Sequence, residues 1–152
     1  MSYVVECLPD EALIRLVSPR TVIRIRHRSG KPEVLKYVRR FEDSVGLIDE
    51  DPSSIQPPLY DQLIEQETRH DLGLTRSRFS NGNAVVILSP RLEEWVLTDC
   101  RHNGINPELY GLPRDPEAFH DLVNQRLDNF KRLVSDLMHN SGRLQRLSSW
   151  LG

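Results

Sequence analysis

Only two cysteines, Cys7 and Cys100, occur in the 152 residues. Two thiols are too few for a disulfide framework, and neither has a second cysteine or a histidine pair nearby at zinc-ligand spacing. Both read as buried thiols. Long apolar runs are missing as well, and none approaches the length that spans a bilayer, which excludes a transmembrane segment. The opening residues, "MSYVVECLPDEAL", lack a basic start and a small-residue cleavage site. They read as the start of the fold and not as a secretory signal, so a cytoplasmic location is expected. An excess of charge is absent too: the net value is -2 at pH 7, which argues against dependence on nonspecific attraction to polyphosphate. The histidines His27, His70, His102, His120 and His139 are scattered, with no helical pair at ligand spacing, and no Ser-His-Asp or Cys-His arrangement follows from the spacing. Internal repeats and low-complexity tracts are also lacking.

What is present fits one domain, residues 1–152, since a chain of this length builds one well-formed core and not two. With 38% hydrophobic and 28% charged residues, the composition is that of a globular protein. "SYVVEC" is short, apolar and β-branched, and Pro9, Asp10 and Glu11 then suit the first turn of a helix through "ALIRLV". "TVIRIRH" alternates apolar and basic residues over Val22 to Arg26, a second strand, and Val34, Leu35, Val38 and Phe41 follow with helical spacing. "VGLI" is a third strand. Residues 53–83 read as an excursion over the surface, with a break at Pro57-Pro58, a short helix in "YDQLIEQE" and a turn at Asn81-Gly82-Asn83. "AVVIL", Ala84 to Leu88, is an uninterrupted apolar run of the kind that lies covered on both faces of a parallel sheet.

After it, Ser89 as N-cap, Pro90 at the first helical position and Glu93 and Glu94 in the first turn start another helix. From Phe119 to Met138 apolar residues recur at three- and four-residue steps, predicting one long amphipathic helix. Asn140-Ser141-Gly142 ends it, and Leu144, Leu147, Trp150 and Leu151 mark a shorter one. The alternation predicts an α/β fold: a mostly parallel central sheet with helices on both faces, with a core over about 1–103 and a C-terminal helical layer over about 115–151.

Ligands of open α/β sheets bind outside the carboxyl ends of the strands. Three sets of acids fall there: Glu6 after the first strand, Asp49 and Asp51 at the end of the third, and Glu93 after "AVVIL". Neighbouring strands at about 4.8 Å would bring these carboxylates to one rim, and an extended chain would place Asp49 and Asp51 on one side, roughly 7 Å apart. Hard divalent ions such as magnesium take a few carboxylate oxygens and keep the remaining positions for water and phosphate. Metal-assisted phosphoryl transfer is the chemistry that follows, with a carboxylate free to take a proton. Each acid also has a structural reading, strongest for Glu93, which would favour a first helical turn in any case.

Other patterns fail. "DEDPSSIQPPLY" has no glycine at the sixth and no glutamate at the twelfth position of a calcium loop. Ser29-Gly30-Lys31-Pro32 lacks the earlier glycine and the following Ser/Thr of a phosphate loop. A receiver-type phospho-acceptor would want paired acids after the first strand and a lysine after a fifth. Arg20, Arg24, Arg26, Arg28, Lys31, Lys36, Arg39 and Arg40 form a basic stretch opposed only by Glu33. It reads either as a contact for nucleic acid, through Arg24, Arg26, Arg28 and Lys31, or as the charged face of an edge strand.

The order of these motifs, "VVEC..DEALI", then "GLIDEDP" with its Asp-x-Asp, then "SPRLEEWVLTD", resembles the TOPRIM domain, in particular small stand-alone TOPRIM proteins and overcoming-lysogenization-defect nucleases. The likeness covers roughly the first two thirds of the chain. Cys7 follows Glu6 where many such domains have glycine, and no topoisomerase tyrosine region or primase zinc module is present. The resemblance implies a nuclease dependent on magnesium or manganese (Mg or Mn), with Glu6, Asp49 and Asp51 as metal-binding and catalytic acids and Glu93 as a further ligand. It implies DNA or RNA as substrate and an ATPase partner protein in phage or mobile-element defence. The alternative is a TOPRIM-like interaction subunit without catalysis, its acids kept for fold or partner binding and its Phe119–Met138 stripe serving an interface as well as a core.

Overall fold

Apolar runs that alternate with amphipathic segments build the centre of the molecule. In the computed structural model, which describes residues 1–152, the strands are β1 (Ser2–Val5), β2 (Ile25–His27), β3 (Ser44–Asp49), β4 (Ile64–Arg69), β5 (Leu74–Arg78) and β6 (Ala84–Leu88). The helices are α1 (Leu8–Val17), α2 (Lys31–Arg40), α3 (Leu92–His102), α4 (Pro116–Val123), α5 (Leu127–Leu137) and α6 (Gly142–Leu151). One six-stranded sheet has the order β2-β1-β3-β6-β5-β4. Its first four strands are parallel, and β5 and β4 extend it antiparallel. The fold is therefore α/β with a mixed, mostly parallel sheet. No helix is long and apolar enough to cross a membrane.

Side chains on a strand alternate between faces, and here both faces are covered. Tyr3, Val5, Val45, Leu47, Val86 and Leu88 join the larger core, of 28 buried residues, beneath α1, α3, α4, α5 and α6. Val4, Ile48, Val85 and Ile87 point the other way, into a cluster of 8 closed by Val34, Leu35 and Val38 of α2. Helices thus lie on both faces, unequally. The α2 side approaches closely because β3 carries Gly46, where an added Cβ would sit 3.1 Å from a methyl of Val38 and 3.3 Å from one of Val34. Gly46→Val is expected to cost about 1–3 kcal/mol by overpacking this seam. Urea unfolding would measure it, and an unchanged midpoint would contradict the packing described.

Five sequence expectations need correction. Residues 53–83 are not only a surface excursion, because β4 and β5 add two strands to the sheet. "YDQLIEQE" gives no α-helix: a 3₁₀ turn spans Pro58–Gln62 and the chain is strand from Ile64. Glu65, Gln66 and Glu67 are all exposed, so this strand is held by its backbone ladder to β5 and not by apolar burial. The second strand is shorter than "TVIRIRH", only Ile25–His27. The helix after β6 begins at Leu92 with Arg91 as N-cap, so neither Ser89 nor Pro90 has its expected place. Finally, Phe119–Met138 is not one helix. It breaks between Val123 and Leu127, and α4 and α5 continue the same apolar periodicity because both face the same core.

Candidate active site

The strand order places β1 beside β3 and β3 beside β6, so the carboxyl ends of all three meet on one rim. Register sharpens this: Val4 is level with Gly46, and Asp49 with Leu88. Glu6 follows β1 directly and Asp49 is the last residue of β3. Both line one open cleft of about 620 Å³ with Asp51, Lys31, Lys36 and the loop Ser54–Pro58. Glu6, Asp49 and Asp51, the acids singled out from the sequence, are brought to a single site.

Asp49 both lines the cleft and caps a helix. Its Oδ1 accepts a hydrogen bond at 3.0 Å from the Leu92 N–H, so the end of β3 caps the start of α3. Such a cap satisfies one of the four donors a helix start leaves free. Burial and the neighbouring charges of Asp10, Glu93 and Glu6, in that order, push its pKa up to about 8. Its carboxyl therefore resists ionisation at neutral pH unless a cation joins it.

Asp51 is not a continuation of the extended strand. The ladder runs one residue past Asp49, since the Glu50 N–H bonds the Leu88 carbonyl, and then Asp51 takes a left-handed conformation with φ of 46°. Asp is among the few side chains that enter this region readily. Its N–H bonds the Pro90 carbonyl, and its side chain and carbonyl accept from Ser53 and Ser54. The turn, not a shared strand face, aims Asp51 at the cleft. Glu50 points aside, where its carboxylate accepts from the Ser89 hydroxyl at 3.0 Å.

The Glu6 side chain makes no hydrogen bond and no ion pair. Half-buried, it is raised above the usual carboxylate range first by desolvation and then by Asp51, with Lys31 acting against both. The Lys31 ammonium is held over the cleft by the Glu50 carbonyl and Gln56 Oε1, each at 2.8 Å. Of the basic residues marked for nucleic acid, Lys31 thus belongs to the acid cleft, whereas Arg24 and Arg26 are exposed along the edge strand β2 and Arg28 lies over the Tyr37 ring. Lys31→Met removes the favourable charge, so the Glu6 titration followed by carbon NMR in chelator is expected to move to higher pH. A move to lower pH would contradict this arrangement.

Glu93 lies in the first turn of α3 as expected, 5% exposed. It does not line the cleft. Its carboxylate is joined to His120 Nδ1 of α4 at 2.8 Å, and this partner raises the imidazole pKa. Glu93 reaches the cleft only through its charge on Asp49. Two residues were missed. Asp10, 6% exposed in the first turn of α1, is raised to about 7 by desolvation, with Glu6 adding to the rise and Cys7 hydrogen bonding opposing it. Burial pushes the Cys7 thiol up as well, and Cys7 is only partly buried, unlike Cys100. The spacing Glu6 to Asp10, one helical turn, was the signal available for Asp10; it was absorbed by the ordinary preference of acids for a first helical turn.

The donor set is all carboxylate and carbonyl oxygen, which suits magnesium or manganese and not zinc. No three His, Cys, Asp or Glu side chains converge closely enough to form a closed metal cage. A strongly hydrated ion needs only one or two carboxylates, with water and phosphate completing its shell, so the acids of the cleft are compatible with such an ion without a closed cage. Compared with family models, with curated proteins and with solved structures, the chain matches none.

Proposed function

We propose that the chain is a TOPRIM-like nuclease that cleaves or transfers phosphodiesters of nucleic acid with magnesium or manganese. The observation that carries this reading is the gathering of Glu6, Asp49 and Asp51 in one cleft at the carboxyl edge of the parallel strands. Asp49 and Asp51 would hold the ion, with Glu6 beside them. The ion would supply charge neutralisation at the phosphate and a lowered pKa for an attacking water. Glu6 is the better proton acceptor of the two candidates, because Asp49 Oδ1 is engaged by Leu92 while the Glu6 carboxylate has no partner. Lys31 sits where it can meet a phosphate oxygen as a point charge.

One observation favours the non-catalytic alternative. Asp49 has a structural task of its own, capping α3, so an acid at this position does not require chemistry. Of that alternative's Phe119–Met138 stripe, Phe119, Phe130, Leu133, Val134 and Leu137 are buried in the core and Met138 is exposed, at 37%, so the core half of the stripe's expected role is met and Met138 is what it offers a partner. Calorimetric titration with magnesium and manganese tests the site itself. The nuclease reading expects binding that Asp49→Asn and Asp51→Asn each weaken at least about tenfold, no less than the loss of an outer partner of a metal ligand costs; no heat of binding in the native protein would favour the alternative.

A further inference from the structure

The C-terminal end of α2 carries an aromatic pair at the border of the smaller core: Tyr37 is partly buried against that core, and the ring beyond it is not. Phe41, just past the end of α2, is 45% exposed, and its ring lies 4.5 Å from that of Tyr37, tilted by 38°. Guanidinium groups cover both rings: Arg28 from the β2 edge lies 4.5 Å from the Tyr37 centroid, and Arg40 5.3 Å from that of Phe41. These residues, with Glu33 and Lys36, line a shallow hollow of about 190 Å³. Neither Arg28 nor Arg40 joins an ion pair. The carboxylates nearest in the chain are otherwise engaged or turned to solvent: Glu33 pairs with Lys36 at 2.8 Å, Asp43 with the amino terminus at 2.7 Å, and Glu42 is exposed.

Two features tie this hollow to the acid cleft. Lys36 lines both. Arg24 and Arg26 stand exposed on the same β2 edge as Arg28. A path with cationic sides and an aromatic floor therefore leads along α2 to the carboxylates. Planar rings flanked by guanidinium groups that no carboxylate neutralises, Arg28 donating only to the His27 carbonyl at 2.6 Å, suit a ligand that alternates flat apolar faces with negative charges, which is the repeat of a single nucleic-acid strand. In a duplex the base faces are stacked on one another and not available to Phe41. An acidic peptide would satisfy the arginines but would leave the exposed Phe41 ring without a matching surface.

We infer that Tyr37 and Phe41, framed by Arg28, Lys36 and Arg40, form a base-stacking subsite that feeds single-stranded nucleic acid into the Glu6–Asp49–Asp51 cleft. The delivery step rests on the nuclease reading, but the binding does not. Binding is therefore measured without metal: the full chain, in chelator, against a labelled single-stranded DNA of about twelve nucleotides, the same sequence as duplex, and polyglutamate, by fluorescence anisotropy across a salt series. The expected result is single-strand affinity at least about tenfold above duplex and polyglutamate. Phe41→Ala weakens it about tenfold with the salt slope unchanged, the effect of one lost stacked base. Arg28→Ala and Arg40→Ala each lower the slope by about 0.7, one phosphate apiece. Circular dichroism of these surface variants confirms that they fold. Equal affinity for duplex, a polyglutamate affinity matching that of the strand, or a Phe41→Ala variant that binds as well as the native chain would each overturn the subsite. Intact stacking with no metal-dependent cleavage of the same strand would instead sink the nuclease reading and leave the subsite standing.

Discussion

Asp49→Asn is expected to abolish cleavage while making the protein more stable. The Asn amide oxygen can still accept from the Leu92 N–H, so the cap on α3 survives. What disappears is a carboxyl that burial and three neighbouring acids hold up at about 8. At pH 8 the native chain loses folding energy to this group, because its unfolded form ionises freely near pH 4. Removing the charge returns on the order of 1–3 kcal/mol, a trade of stability against function that strained sites commonly show. Activity is expected to fall below detection, because the metal loses one of the two carboxylates proposed to hold it. Thermal unfolding at pH 8 in chelator, set beside cleavage in magnesium, measures both halves. A destabilised variant, or one that still cleaves, would contradict the role given to Asp49.

The second large effect is on pH and metal together. Asp49 and Asp10 both keep their protons in the folded chain well above the ordinary 3.8, to about 8 and about 7. Between pH 4 and pH 8 the folded state thus binds more protons than the unfolded state. Stability is fully present below pH 4 with respect to these groups, and it is lost as pH rises toward 8. Each tenfold gain in proton affinity on folding corresponds to about 1.4 kcal/mol. Because the two acids share one environment, the combined loss in chelator is on the order of a few kcal/mol. If the proposed metal site holds, divalent ion is expected to reverse it by binding the ionised folded form: at a hundredfold excess over the dissociation constant the gain would be about 2.7 kcal/mol. Unfolding midpoints measured from pH 4 to 8, with chelator and with magnesium, should therefore diverge as pH rises. Curves that stay parallel would show that the ion does not bind through these carboxyls.

The parallel centre of the fold is legible because burial on both faces leaves unbroken apolar runs. "AVVIL" is buried at every position and "VGLI" at each of its four, and no surface strand would carry such a run. The antiparallel edge was not legible for the converse reason. "IEQETR" and "LTRSR" bury only Leu74 and Ser77 between them, so hydrophobic pattern carries no sign of strands that are held by hydrogen-bond ladders. The break between α4 and α5 hides behind a shared core, since Phe119 and Phe130 meet edge to face at 6.2 Å as though one stripe continued. Asp115, which caps α4 by accepting from the Ala118 N–H at 3.0 Å, reads as an N-cap only once that break is known.

The site divides in the same way. Glu6 and Asp49 follow apolar strands directly, and their position at strand ends gave their weight. Asp51 lies in the same cleft for a reason the sequence did not supply, a left-handed turn and not an extended chain. Glu93 shows the limit of reading position alone: it is where expected in α3 but is tied to His120, a partner 27 residues away that no local pattern links to it. Asp10 was hidden because its burial, which no local pattern announces, is the largest cause of its raised pKa, with the nearby Glu6 and Cys7 adding smaller effects of opposite sign.

Everything functional here turns on whether this cleft cleaves nucleic acid with a divalent ion held by its acids. Purified protein is incubated with single- and double-stranded DNA and RNA, with magnesium, manganese or chelator, beside Glu6→Gln and Asp49→Asn. Strand cleavage is expected in the presence of either metal, none in chelator, and none by either variant. Cleavage that persists in both variants, or a native protein that leaves every substrate intact in both metals, would refute the nuclease assignment.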